Sequence, residues 1–284
     1  MKRILLFLFF LPAACFAQNF HFSGRLGMAG YQGDLKAKSI SFSQTTLLGS
    51  IGVRYDLSEH LALRSYLTLT SLRADDKKGT ATMRARNLNF HSSILDWEGG
   101  VHYSFFDLNE KWWTPYAFAG IGFFHFNPYT KDTNGTKAFL HPLTTEGQGL
   151  AGGAKKYSLM QFSIPLGIGV ERMLNEDMRV GLEMGYRKIF TDYLDDVSDV
   201  YFDEAALLAG RGPRAVDLAY RGDEVGKGPY PAANLTRGSP KYKDGYFYMA
   251  LTFTYRFYFD KYKEIAGLPS SKKGKKVGCP ASRY

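Results

Sequence analysis

The sequence predicts an all-β protein: an eight-stranded antiparallel transmembrane β-barrel with short periplasmic turns, long extracellular loops and a periplasmic C-terminal tail. Three observations predict it. Apolar and polar residues alternate with a period of two over segments longer than ordinary globular strands. The connections between those segments are alternately short and long. After Leu11 no apolar run is long enough for a membrane-crossing helix, which leaves strands as the spanning elements.

The first 17 of the 284 residues read as an export leader. Met1-Lys2-Arg3 is a short basic start, Ile4–Leu11 an apolar stretch too short to span, and Cys15-Phe16-Ala17 a small-residue cleavage site. The alternative is a lipoprotein leader with Cys15 as the lipidated residue. Cleavage after Ala17 lowers the formal net charge from +9 to +7 and leaves Cys279 as the remaining cysteine, so no internal disulfide framework is expected. An exported basic chain meets lipid phosphates and partner proteins, so nucleic acid is not an expected partner.

The strands fall near 20–31, 44–56, 61–74, 92–106, 113–126, 159–172, 178–191 and 244–259. The last one, DGYFYMALTFTYRFYF, carries Phe247, Met249, Leu251, Phe253 and Tyr255 on one face. Tyr246, Tyr248, Thr252, Thr254 and Arg256 lie on the other. About ten tilted residues cross a bilayer, so these segments cross it and protrude. The short connections, DLSEH (56–60), DLNEK (107–111) and RMLNED (172–177), share Leu, then Ser or Asn, then Glu. The long ones, 32–43, 75–91, 127–158 and 192–243, are rich in Gly, Pro, Asn and charge. This asymmetry is the pattern of an outer-membrane barrel. The expected organisation is a leader (1–17), a barrel (18–260) and a basic tail (261–284).

Parity assigns an inward face that includes Arg25, Arg54, Arg64, Tyr66, Asp96, Glu98, Glu171, Arg179, Glu183, Arg187 and Arg256, with Gly52, Gly167, Gly169 and Gly181. Side chains just fill an eight-stranded lumen, and an arginine at the midplane of a barrel's lipid face costs roughly 2–4 kcal/mol. These charges are therefore expected to form a paired plug, not a channel lining. Trp97, Trp112, Trp113, Tyr116, Tyr255 and Tyr258 are candidates for an interfacial aromatic girdle.

Candidates for chemistry are few. Asp192, Asp195, Asp196 and Asp199 cluster in TDYLDDVSD (191–199), without the ligand spacing or closing Glu of an EF-hand. They read as solvated loop carboxylates, some capping turns, with calcium at a loop mouth as the alternative. His102 and Ser104 share a strand face with Asp96 and Glu98, which raises lipid-modifying catalysis and places it in the lumen, away from lipid. The six histidines form no metal-ligand pattern, with His91 and His141 on loops, and Gly149–Gly153 (GLAGG) reads as a flexible loop. No catalytic residue, metal or cofactor is expected. In the tail, Lys272, Lys273, Lys275, Lys276 and Cys279 are candidate partner-binding residues: a basic segment that orders on a partner, with a thiol open to a mixed disulfide.

YQGDL (31–35), TDYLDDVSD (191–199), RGSPKYKDGYFYMALTFTYRF (237–257) and KKVGCP (275–280) resemble the PorG-like outer-membrane barrel proteins of Bacteroidota, over nearly the whole mature chain. The resemblance implies a non-enzymatic barrel with periplasmic ends. It would anchor the ring of the type IX secretion machinery, built from a PorK-like lipoprotein and PorN-like subunits, among outer-membrane lipids. The other expectations from the residues are a lipid-modifying enzyme using His102 and Ser104, or a surface-binding barrel using loops 127–158 and 192–243.

Overall fold

The computed structural model describes residues 20–36, 44–239 and 243–257. The leader, Tyr258 and the tail residues Lys272, Lys273, Lys275, Lys276 and Cys279 lie outside the described residues. Eight long strands close into an antiparallel barrel: β1 Phe20–Gln32, β2 Thr46–Asp56, β3 Leu61–Asp75, β4 Asn89–Ser104, β5 Trp113–Lys131, β7 Met160–Met173, β8 Met178–Ile189 and β9 Gly245–Arg256. A short β6, Lys137–Phe139, turns back on β5 above the wall. Neighbours in sequence are neighbours in the sheet, and two further pairings complete the ring. β4 meets β5 from His91↔Tyr129 to Ser104↔Tyr116. β1 meets β9 from His21↔Arg256 to Gln32↔Gly245.

The alternation sorts the two faces as period two requires. Leu47 and Ile51 are each 71% exposed on the outside. Arg25, Arg64, Glu183 and Arg187 are buried inside. The small residues of β7 matter for this packing. A Cβ on Gly169 would lie 2.3 Å from Cζ of Tyr116, and one on Gly167 would lie 2.6 Å from Cζ of Phe118. Glycine at both positions lets two aromatic rings lie across the lumen floor of the neighbouring strand.

Three tight turns join β2–β3, β4–β5 and β7–β8 at one end, where β1 begins and β9 finishes. At the other end the long connections fold. They carry α1 Ala81–Arg86, α2 Leu140–Leu143, α3 Glu204–Arg211 and α4 Pro213–Ala219. Among the described residues no helix is long and apolar enough to cross a membrane. Two expected boundaries shift: β4 begins at Asn89 and β5 runs on to Lys131, so His91 is a strand residue, and His141 lies in α2.

Two girdle expectations are corrected. Tyr116 faces inward, 3% exposed, with its hydroxyl on Glu183, because its parity on β5 is that of Thr114 and Phe118. Trp97 faces outward but pairs with Leu67 and Phe123 in the middle of the wall, where its indole nitrogen donates to Ser65 Oγ. Trp112 and Trp113 sit at the short-turn end and are exposed, Trp112 under the guanidinium of Arg172.

Candidate functional site

The lumen is layered. In its middle layer Glu183 of β8 accepts from Arg25 Nη1 (2.9 Å), Arg64 Nη1 (2.8 Å), Tyr116 (2.9 Å) and Tyr248. Glu98 accepts from Arg64 at 2.8 Å and also from Arg187. Asp96 accepts from Arg187 Nε and from Tyr246, each at 2.8 Å. Aromatic rings sheathe the cations: Arg25 lies 3.7 Å from the Tyr66 centroid and Arg64 3.8 Å from that of Phe118. Three arginines and three acids are thus brought together and crosslinked through four strands. Such a network resists the loss of any one member, since a buried charge without its partner costs several kcal/mol.

The layer nearer the short turns holds a second group. Arg54 donates to Glu171 (2.9 Å) and Asp56 (2.7 Å), and Arg179 donates to Asp56 (3.1 Å). Arg256 is not brought into either network; its Nε lies 3.5 Å from Nε2 of His21 at the mouth. Sequence reasoning omitted Asp56, Tyr116, Tyr246 and Tyr248 from the lumen contacts. Strand parity was the available signal for the tyrosines, but nothing in the pattern says that a hydroxyl rather than an arginine completes the shell of Glu183.

His102 and Ser104 meet here too. His102 Nε2 lies 3.3 Å from Ser104 Oγ and 3.7 Å from Glu171 Oε1. Both contacts fall on one ring nitrogen, so the imidazole is not held between a hydroxyl and an orienting acid as a nucleophile-activating relay needs. Both residues are also buried.

The long-loop end is capped. An apolar layer of Leu48, Leu72, Phe90, Ile94, Phe124 and Phe126 closes the lumen, and Leu194, Val197 and Leu218 of the last long loop pack onto it. The aspartate cluster is part of this cap, which corrects the solvated reading: Asp192, Asp195 and Asp196 are 2%, 1% and 0% exposed, and Asp199 alone is exposed. The apolar residues between them draw the segment inward, and the carboxylates follow. Asp195 also caps its own turn, accepting from the Val197 amide.

Tyr31, at the end of β1, ties the cap down. Its Oη lies 2.5 Å from Asp195 Oδ2 and 2.9 Å from Asp244 Oδ1. A phenol donates one proton, so the second contact is a hydrogen bond only when a carboxyl donates to the phenol oxygen. Burial, with the two carboxyls facing each other, holds Asp244 well above the usual carboxylate range, and burial does the same for Asp195. Burial pushes Asp192 up to about 6. Asp196 accepts from Thr145 and Tyr157, each at 2.6 Å, while Glu146 pairs with Arg237 at 2.8 Å. Among the described residues no group of three or more acids, histidines or cysteines is arranged to hold a metal ion.

The family model for the outer membrane protein beta-barrel domain matches residues 4–210. The chain belongs to this family. Its place is therefore the outer membrane, as an integral barrel. Among curated proteins none matches the chain. Solved structures to which the chain is similar, at low identity, include three outer-membrane or surface proteins. Neisserial surface protein A is 10% identical, over 84% of this chain and 97% of that one, with a TM-score of 0.42. OprG of Pseudomonas aeruginosa is 11% identical, over 85% and 97%, with a TM-score of 0.42. Ail of Yersinia pestis is 9% identical, over 84% and 99%, with a TM-score of 0.39.

Proposed function

We propose that this barrel is a non-enzymatic scaffold that anchors or positions a periplasmic complex, namely the type IX secretion ring of PorK-like and PorN-like subunits. The short turns and both chain ends face the periplasm, and the long loops face outward. The observation that carries the reading is the filled lumen. Crosslinked charges occupy its middle, and an apolar layer and a folded cap close its outer end. What remains for interaction are the two ends. The basic tail, with Lys272, Lys273, Lys275, Lys276 and Cys279, begins at the end where the tight turns lie and is the natural contact with a partner there.

The test is a clean deletion followed by assay of type IX cargo in the medium, alongside truncation of residues 261–284. The deletion is expected to block export. The truncated barrel is expected to insert normally yet lose co-purification with the ring subunits. Normal export in the deletion strain overturns the proposal. The folded cap, with a cleft of about 200 Å³ lined by Glu146, Tyr193, Tyr201 and Phe202, favours a second reading as a surface-binding barrel. That reading gains if removing the cap loops abolishes function while removing the tail does not.

A further inference from the structure

The cap closes one end of the lumen, but the short-turn end is hollow. A cavity of about 260 Å³ opens there, lined by Glu59 and Asp107 of two tight turns, by Asp56 and Met173 at the ends of β2 and β7, and by Arg54, Arg179 and Arg256. The hydrogen bonding of its guanidiniums is incomplete among the described residues. Arg54 gives Nε to Asp56 and Nη1 to Glu171. Arg179 gives Nη2 to Asp56, and its Nη1 stands 3.9 Å from Glu171. Two carboxylates are thus shared by two guanidiniums.

Arg256 is the third guanidinium. It makes no ion pair among the described residues, and its side-chain hydrogen-bond contact there is the 3.5 Å approach of Nε to His21. Its two terminal nitrogens, Nη2 of Arg54 and Nε of Arg179 have no protein acceptor among the described residues. A guanidinium presents its donors as a planar fork that matches a carboxylate or phosphate. The barrel wall around the cavity lowers the local dielectric and strengthens such a contact. Arg54 and Arg179 are themselves fixed by their pairs, at 6% and 9% exposure, so the site is built before a ligand arrives.

We propose that this vestibule is an oxyanion site. It accepts one carboxylate or phosphate group against Arg256, with Arg54 and Arg179 completing the donor set. Glu59 and Asp107 on the turns select against polyanions, so the ligand carries a single anionic group on an otherwise neutral or basic body. The inference stands apart from the secretion role: it concerns the chemistry of the mouth, whichever molecule brings the anion.

The experiment uses the full chain in detergent micelles with its arginines labelled with nitrogen-15. Inorganic phosphate and a blocked aspartate, N-acetylaspartate methylamide, are titrated separately at constant ionic strength while the side-chain Nε–H signals are followed. The two probes separate a phosphate-bearing from a carboxylate-bearing source. The expected result is a saturable shift of the Arg256 and Arg179 signals with at least one probe, while Arg25 and Arg187 stay unmoved. In Arg256→Gln, loss of a charged hydrogen-bond donor is expected to weaken binding about tenfold or more. Heat-modifiable migration on a gel shows whether that variant is folded. The exposed Arg214→Gln variant controls for general loss of charge. The proposal is overturned if neither probe gives a saturable shift in the native chain. It is equally overturned if folded Arg256→Gln binds as well as the native chain, or if Arg214→Gln weakens binding as much.

Discussion

The middle of the lumen and the cap both bury carboxylates, and they compensate them differently. Asp96, Glu98 and Glu183 are each matched by arginine. Asp195 and Asp244 meet at one phenol and accept from backbone amides, with no ion pair to either among the described residues. Salt bridges of the first kind compensate each carboxylate with a fixed cation. A clasp of the second kind depends on protonation. One chain thus carries a plug matched by arginine and a cover whose clasp is sensitive to pH, and the difference follows from whether an arginine stands beside the buried carboxylate.

The largest expected effect comes from breaking the plug. Glu183→Gln leaves Arg25 and Arg64 short of their central acceptor, and removal of one partner from a buried charge network costs about 3–5 kcal/mol. Urea unfolding of the barrel reconstituted in vesicles measures the loss. A variant as stable as the native chain shows that the network is not compensating charge as described.

The cover should respond to pH. The proton sits more tightly on Asp192, Asp195 and Asp244 in the folded cap than in an opened one, where ordinary carboxylates titrate near 4. The folded cap then holds more bound protons than the open one, so its stability falls as pH rises from the ordinary carboxylate range through the raised folded values. For Asp192 that window runs from near 4 to about 6. Other charges near the clasp are Asp34 and Arg86, with Lys243 beside Asp192. Hydrogen exchange of amides 191–199 should quicken on raising the pH, beyond the intrinsic pH dependence of exchange. Asp195→Asn combined with Asp244→Asn should flatten the response. An unchanged pH profile in the double variant shows that protonation of these carboxyls does not govern the cover.

The smallest effect sharpens the comparison from outside it. Arg214 and Asp132 form an ion pair on the long-loop surface, with the arginine side chain 45% exposed. Exposed pairs contribute roughly 0–1 kcal/mol. Asp132→Asn should therefore shift neither the unfolding midpoint nor the exchange of the cap by more than that.

The wall of this molecule was legible in its sequence because a strand with lipid on one side and a charged lumen on the other has no freedom to break its alternation. Arg25, Arg64, Glu98 and Glu183 could be placed by parity alone. The cap was not legible for the opposite reason. TDYLDDVSD has more carboxylates than apolar groups, and polarity alone puts it in water. Its burial goes with Leu194 and Val197 joining the same apolar cluster as Phe90 and Phe126, which lie more than sixty positions earlier in the sequence. Tyr31 and Asp244 likewise lie far apart in the chain, and no local pattern announces that they meet. Trp97 shows the limit of composition within the wall: an outward tryptophan was expected at an interface, and it sits halfway along its strand instead.

The seam between β1 and β9 has a consequence for assembly. The first strand of the barrel finds its partner in the last, so the circle stays open until residues 245–256 have arrived. Tyr31 lies on one lip of that seam and Asp244 stands immediately before the other. The clasp therefore cannot form on an unfinished ring. Its formation is a completion mark: the outer lid fastens only after the circle has shut, and a chain that stalls before its final strand keeps a loose lid and an open flank together.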